Sequence, residues 1–389
     1  CDEDLSRGAE ERASRNLYGG AAAQDRSGVI PCVETDRVDV MNDVVAIRVD
    51  SSEQIGSGHL MRCLTLAERL RKDGADVHFI SRDLAGSLNH LVREQGFSLY
   101  ILPCHADHPA LTGYTAWLTV PQEMDAEETA AILRQLFPVE RLVVDSYALD
   151  AAWEQKLRPL VREIFVIDDL ANRPHDCDVL LDQNFYREMR HRYDGLVPPA
   201  CKLLLGPSHA LLREEFYATR EKIGVRDGVL RRILVFYGGS DVTRETEKAI
   251  RALVHLQLPS VAVDVVVGGS NPRRTQIEEL CAAHDFLHYH CQVSNMAELM
   301  ARADLCLGAG GTTTWERCFL GLPAIVTAVA ENQIRVSEDC AAVGYICYLG
   351  RWDEVRQEDI AAAVQRCIMP QTLREMQRHC RLDVNDDDR

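Results

Sequence analysis

The chain is short of positive charge. Its 389 residues carry 43 Lys plus Arg against 60 Asp plus Glu, a formal net charge of −17. Binding along nucleic acid needs a basic surface, so that class is excluded. A small anionic ligand is not excluded, because a few backbone N–H groups and one helix end can hold a phosphate locally. No run of 18 apolar residues occurs, so no segment reads as a membrane-spanning helix. The sequence has no C-x-x-C, and no Cys/His group has zinc-finger spacing. Its 14 cysteines are scattered. Several lie in apolar runs, such as Cys306 in ADLCLGAG and Cys347 in GYICYLG, where a free thiol behaves as a small hydrophobe. Reduced thiols and a cytoplasmic protein are expected.

What is present is an ordinary globular balance, 46% hydrophobic and 26% charged. That excludes a disordered chain, a collagen and a coiled-coil rod. At ~150 residues per domain the length suggests two or three domains.

The two ends differ from the rest. Residues 1–40 are polar, mixed in charge and without periodicity, and they lack the basic and apolar regions of a secretory signal. The first methionine is Met41, directly before a strand-like segment. Residues 1–40 are therefore read as an extraneous or disordered extension. A lipidated Cys1 is the rival reading. Residues 381–389 read as an acidic, solvated tail.

Between these ends, short apolar strands alternate with helical patterns. VVAIRVD (44–50) is strand-like. The next segment places Leu60, Cys63, Leu64, Ala67 and Leu70 at helical spacing, with Gly74 as a stop. Further strands are predicted at 75–81, 97–103, 141–147 and 162–169. The polar segment 206–230 is read as a helical crossover. Strands then restart at 231–239, 261–269, 286–290, 304–311, 322–329 and 344–350. The predicted fold is α/β: two Rossmann-like, doubly wound domains facing across a cleft, spanning 41–210 and 211–380. Ligands of such sheets bind beyond the carboxyl ends of the strands.

Four loops at such ends carry chemistry. The first, DSSEQIGSGHLMR (50–62), offers Gly56, Ser57, Gly58 and Arg62 to an anion at a helix N-terminus. Its G-S-G spacing is neither the dinucleotide fingerprint nor the P-loop. His59 is a candidate general base there, or a plain surface histidine. The second, FYGGSD, has Gly238 and Gly239 to admit a ligand, and Ser240 and Asp241 to contact it or cap the next helix. The third, GAGGTTTWERCFLGLP (308–323), has Gly311, Thr312 and Thr313 for phosphate and Glu316 for a ribose diol, unless Glu316 is merely exposed. In the fourth, AVAENQ, Asn332 and Gln333 suit a sugar hydroxyl or acetamido group, with capping as the alternative for Asn332.

Together IRVDSSEQIGSGHLMRCLTLAERL, GPSHALLREEF, YGGSD, GAGGTTTWERCFLGLP and ENQ resemble the UDP-sugar hydrolases of bacterial pseudaminic acid biosynthesis over about residues 44 to 370. The resemblance implies a GT-B-like fold, related to the murein N-acetylglucosaminyltransferase. It implies hydrolysis of UDP-2,4-diacetamido-2,4,6-trideoxy-β-L-altropyranose, without metal or cofactor. It also implies His59 as the catalytic histidine, Glu316 at the uridine ribose, and Tyr147, Asn332 and Gln333 near the sugar. The small-molecule UDP-sugar is the expected partner, with no nucleic acid, no membrane and a monomeric chain. A GT-B glycosyltransferase and a non-catalytic UDP-sugar-binding module stay open as alternatives.

Overall fold

A computed structural model describes residues 43–105 and 111–382. The expected extension at 1–40 lies outside the described residues, as does the tail from 383 onward. Of the expected tail at 381–389, only Arg381 and Leu382 are described. Leu382 is buried, and its N–H donates to the Cys318 carbonyl at 3.0 Å.

Two parallel sheets form. In the first lobe the strands are β1 (Val44–Val49), β2 (Asp76–Arg82), β3 (Ser98–Leu102), β4 (Val139–Asp145), β5 (Val161–Ile167), β6 (Val179–Asp182) and β7 (Lys202–Leu205). Their spatial order is β3-β2-β1-β4-β5-β6-β7. In the second lobe β8 (Arg232–Phe236), β9 (Ala262–Val267), β10 (Leu287–Cys291), β11 (Leu305–Ala309), β12 (Ala324–Ala328) and β13 (Cys347–Arg351) pair in the order β10-β9-β8-β11-β12-β13. Helices cover both faces of each sheet, so the central strands are near-continuous Val, Ile and Leu. β12, AIVTA, is buried throughout.

The predicted helix after β1 spans Gly58–Lys72 and buries Leu60, Cys63, Leu64 and Ala67 against β1 and β2. The segment 206–230 departs from its prediction. Only Glu214–Arg220 is α-helical, after a short 3₁₀ turn at Pro207–His209. Gly206 and Gly228 adopt positive φ at the start and near the end of the segment. β6 and β7 were absent from the sequence expectations. VLLD and KLLL are four residues each, too short for a periodic signal.

Each sheet reverses its winding once, between β1 and β4 and between β8 and β11. These are the switch points where a crevice opens beyond the strand ends. Register pairs Val49 with Asp145 and Gly308 with Phe236. The loop after β1 therefore meets the end of β4, and the loop after β8 meets the one after β11.

Candidate active site

A cavity of about 400 Å³ opens at these strand ends, lined by residues of both lobes. It lies within the usual size range of small-ligand sites. Of the predicted site residues, Ser57, Gly58, His59, Arg62, Tyr147, Gly238, Gly239, Ser240, Gly311, Thr312, Thr313, Glu316, Asn332 and Gln333 all line it. Gly56 and Asp241 do not. Gly56 sits at φ +80° and donates its N–H to the Ser52 carbonyl at 2.9 Å, so its role is the turn. The Asp241 carboxylate caps the helix Glu245–Leu256, accepting from the N–H groups of Glu245 at 3.0 Å and Thr246 at 2.9 Å.

His59 is the second residue of its helix and almost fully buried. Its Nδ1 lies 2.6 Å from Asp145 Oδ1. Asp145 ends β4, next to the strand that launches the histidine loop. Burial opposes ionisation of Asp145, yet the Arg62 guanidinium, with His59, holds its carboxyl far below the ordinary range. An ionised carboxylate must accept, so Nδ1 carries the hydrogen, and in the neutral ring Nε2 then keeps the lone pair. Among the described residues no group hydrogen-bonds to Nε2.

Arg62 is one helical turn beyond His59. It grips Asp145 with two bonds of 2.6 Å, from Nε and Nη2, and reaches Asp169 through Nη1 at 3.1 Å. Asp169 follows β5. It also accepts the Tyr147 hydroxyl, and the Asn184 amide at 3.2 Å. Burial, then the Asp169 charge, pushes the Tyr147 phenol well above its ordinary value, so it remains a donor. The network crosses the cleft twice. Asn332 Nδ2 donates to Tyr147 Oη at 3.2 Å, and Trp315 Nε1 donates to Asn184 Oδ1 at 3.1 Å.

Three aromatic rings surround the histidine. Tyr147 is edge-on to it at 4.5 Å and Trp117 at 6.1 Å, and Tyr114 packs on both at 5.1 and 4.9 Å. Tyr114 and Trp117 come from a 3₁₀ turn at Gly113–Leu118. They limit bulk water around the ring.

The second lobe supplies close backbone. A Cβ on Gly268 would lie 2.4 Å from the Gly239 carbonyl oxygen, and one on Gly239 would lie 3.2 Å from Ser57 Oγ, across the cleft. These glycines let the two loops approach each other. Gln333 Oε1 accepts from the N–H groups of Gly310 at 3.2 Å and Val329 at 3.0 Å, so this side chain also shapes the loop. Glu316 Oε1 accepts from Arg213 Nε at 3.0 Å.

Asp145, Asp169, Asn184, Trp117, Tyr114 and Arg213 had no role in the sequence reading. The D-x-Y at the end of β4 was the available signal for Asp145 and the LLREEF segment that for Arg213; neither motif contains the other four. Among the described residues no group of three or more His, Cys, Asp or Glu is arranged to hold a metal ion, and no helix is long and apolar enough to cross a membrane.

Beside this network, Asp182 ends β6 and receives Asn184 N at 3.0 Å, Tyr193 Oη at 3.1 Å and Arg192 Nε at 3.2 Å. Burial, then repulsion from Asp169, pushes its carboxyl up to about 7. The native state thus holds this proton more tightly than the unfolded chain does. The resulting destabilisation grows as pH rises from the ordinary carboxylate value to about 7, then levels off. Asp182→Asn removes it. Relative to the parent, the variant should gain about 1–3 kcal/mol of stability between pH 5 and pH 8. Paired urea titrations at the two pH values measure this, and an equal difference at both rejects it.

Residues 233–385 match the glycosyltransferase family 28 C-terminal domain. The chain is similar to the UDP-2,4-diacetamido-2,4,6-trideoxy-beta-L-altropyranose hydrolase of Campylobacter jejuni. The two are 26% identical over 304 residues, covering 77% of this chain and 97% of that protein. It is also similar to the spore coat polysaccharide biosynthesis protein SpsG of Bacillus subtilis, at 22% identity over 335 residues, 85% of this chain and 90% of that one. In structure it is similar to MurG of Acinetobacter baumannii, with a TM-score of 0.59 and 16% identity over 88% of this chain and 96% of that one. Phytolacca americana UGT2, complexed with UDP-2-fluoro-glucose and pterostilbene, gives a TM-score of 0.61 at 12% identity over 87% and 94%. The fold is GT-B, with two Rossmann-like lobes.

Proposed function

We propose that this chain hydrolyses UDP-2,4-diacetamido-2,4,6-trideoxy-β-L-altropyranose to UDP and the free diacetamido sugar, by attack of water on C1. The observation that carries the reading is the His59–Asp145 contact on the cavity wall, which orients an unpartnered Nε2. The similarity to the Campylobacter jejuni hydrolase supplies the substrate.

The chemistry asks little beyond one base. The terminal phosphate of UDP has a second pKa of about 6, like other phosphate monoesters, so it departs near neutral pH without a strong general acid. The paired carboxylates of ordinary glycosidases are therefore unnecessary. His59 Nε2 takes a proton from water as that water attacks C1 on the face opposite UDP. The C1–O bond breaks, its electrons leave with UDP, and the anomeric centre inverts. Backbone N–H groups at the start of the helix Gly58–Lys72 and in the loop after β11 face the charge that develops on the diphosphate. Asp145 holds the imidazole in the required tautomer and faces the imidazolium that forms.

Turnover in ¹⁸O-labelled water tests the bond cleaved. Label is expected in the sugar. Label in UDP means attack at phosphorus and rejects the mechanism. A glycosyltransferase reading is favoured by the family 28 domain match. It predicts no UDP release from the sugar nucleotide in water alone, and that measurement separates the two.

A further inference from the structure

The segment joining the two sheets contains a group that neither the fold nor the hydrolytic step accounts for. Arg213 precedes the helix Glu214–Arg220 and lines the same cavity as Glu316. Its Nε and Nη2 lie 3.0 Å from Glu316 Oε1. Its Nη1 lies 2.6 Å from Glu215 Oε1, and Glu215 Oε2 accepts from Ala297 N at 3.3 Å. The guanidinium is thus clamped between a carboxylate of its own segment and one of the second lobe. Phe216, fully buried, packs under it at 4.9 Å. Glu316 is 9% exposed and lines the cavity, and its Oε2 is buried without a hydrogen-bond partner. A carboxylate oxygen left in that state is costly, so it calls for a donor from elsewhere. Among the described residues no Arg, Lys or N–H donor supplies it. A hydroxyl entering from the cavity does.

We propose that Arg213 is a positioning residue for recognition of a nucleotide ribose: it fixes Glu316 Oε1 and thereby presents Oε2, and the second lone pair of Oε1, to the 2′- and 3′-hydroxyls. The proposal rests on the reading of Glu316 as the ribose acceptor. Its charge logic is independent of the reaction. A diphosphate and an unpaired carboxylate in one cavity repel, and Arg213 neutralises the carboxylate without removing its acceptor capacity. Only a fork-shaped cation held at both ends does this and stays in place.

Calorimetric titration with UDP and 2′-deoxy-UDP tests the proposal on the parent, Arg213→Met, Arg213→Lys and Glu316→Gln. One charge-assisted hydrogen bond corresponds to about 10- to 100-fold in affinity, the preference expected of the parent for UDP. In Arg213→Met the preference should fall to within about threefold, as in Glu316→Gln, while Arg213→Lys keeps part of it. A merely structural Arg213 would weaken both nucleotides equally and leave their ratio alone, and that result overturns the proposal. Lysine keeps the charge, so Arg213→Lys carries the test if Arg213→Met does not fold. A parent without preference between the two nucleotides overturns the ribose reading of Glu316 itself, which is a different failure.

Discussion

His59→Phe is expected to lower UDP release from the diacetamido substrate by about 10²–10⁴-fold, while its affinity for UDP stays within a few-fold of the parent. General-base catalysis contributes roughly 10²–10⁴-fold. Among the described residues the two nearest carboxylates are not placed to replace it, because Asp145 is buried behind the ring and Asp169 is committed to Arg62, Tyr147 and Asn184. Phenylalanine keeps the ring volume among Tyr147 and Trp117, so the wall survives. A coupled assay for UDP and calorimetry with UDP measure the two quantities. Normal turnover by this variant refutes the base assignment. Lost UDP binding would mean that His59 holds the nucleotide rather than activating water.

The histidine was legible because its loop combines glycines, a helix start and a strand end within a few residues. The same holds for the loops after β8 and β11, whose signals are local. The partners that give His59 its orientation were not. Asp145 is 86 residues away in sequence and looks like the polar end of an apolar strand. It becomes a partner only because β4 inserts beside β1, a consequence of sheet order that no local pattern encodes. Asp169 and Asn184 sit at the ends of β5 and β6, so the network steps along successive strand ends of the sheet. Asn184 lies just beyond VLLD, whose shortness hid the strand itself. Gly56 and Asp241 show the converse. Their residue types matched a ligand site, but turn geometry and helix capping already use them.

The cross-cleft bonds change how Tyr147 and Asn332 are understood. Both were expected at the sugar. In the structure they hydrogen-bond each other, and Tyr147 also donates to Asp169. One residue set thereby links His59, through Asp145, Arg62 and Asp169, to the lobe opposite. A hydrogen-bonded path thus runs from Asn332 through Tyr147 and Asp169 to Arg62 beside His59.

Asp145→Asn is expected to lower kcat by about 10²–10⁴-fold and to destabilise the fold by about 2–4 kcal/mol. The kinetic effect follows from the tautomer. An amide in place of the carboxylate can turn its NH₂ toward Nδ1, which moves the ring hydrogen to Nε2 and removes the lone pair that accepts from water. The stability effect follows from Arg62, which is 5% exposed: its bond from Nη2 is lost, its bond from Nε falls on a neutral amide oxygen, and Asp169 is left as its carboxylate partner. The pH signature separates the two effects. The Asp145 carboxyl is held far below its ordinary value of 3.8, so its contribution is complete above that value and is lost only as pH falls below it. Denaturant titrations should show the parent losing more stability than the variant between pH 4 and pH 2, with a nearly constant gap from pH 5 to pH 8. Turnover measured where the variant is fully folded then isolates the tautomer. A variant of reduced stability but undiminished kcat would leave Asp145 as an anchor for Arg62 alone.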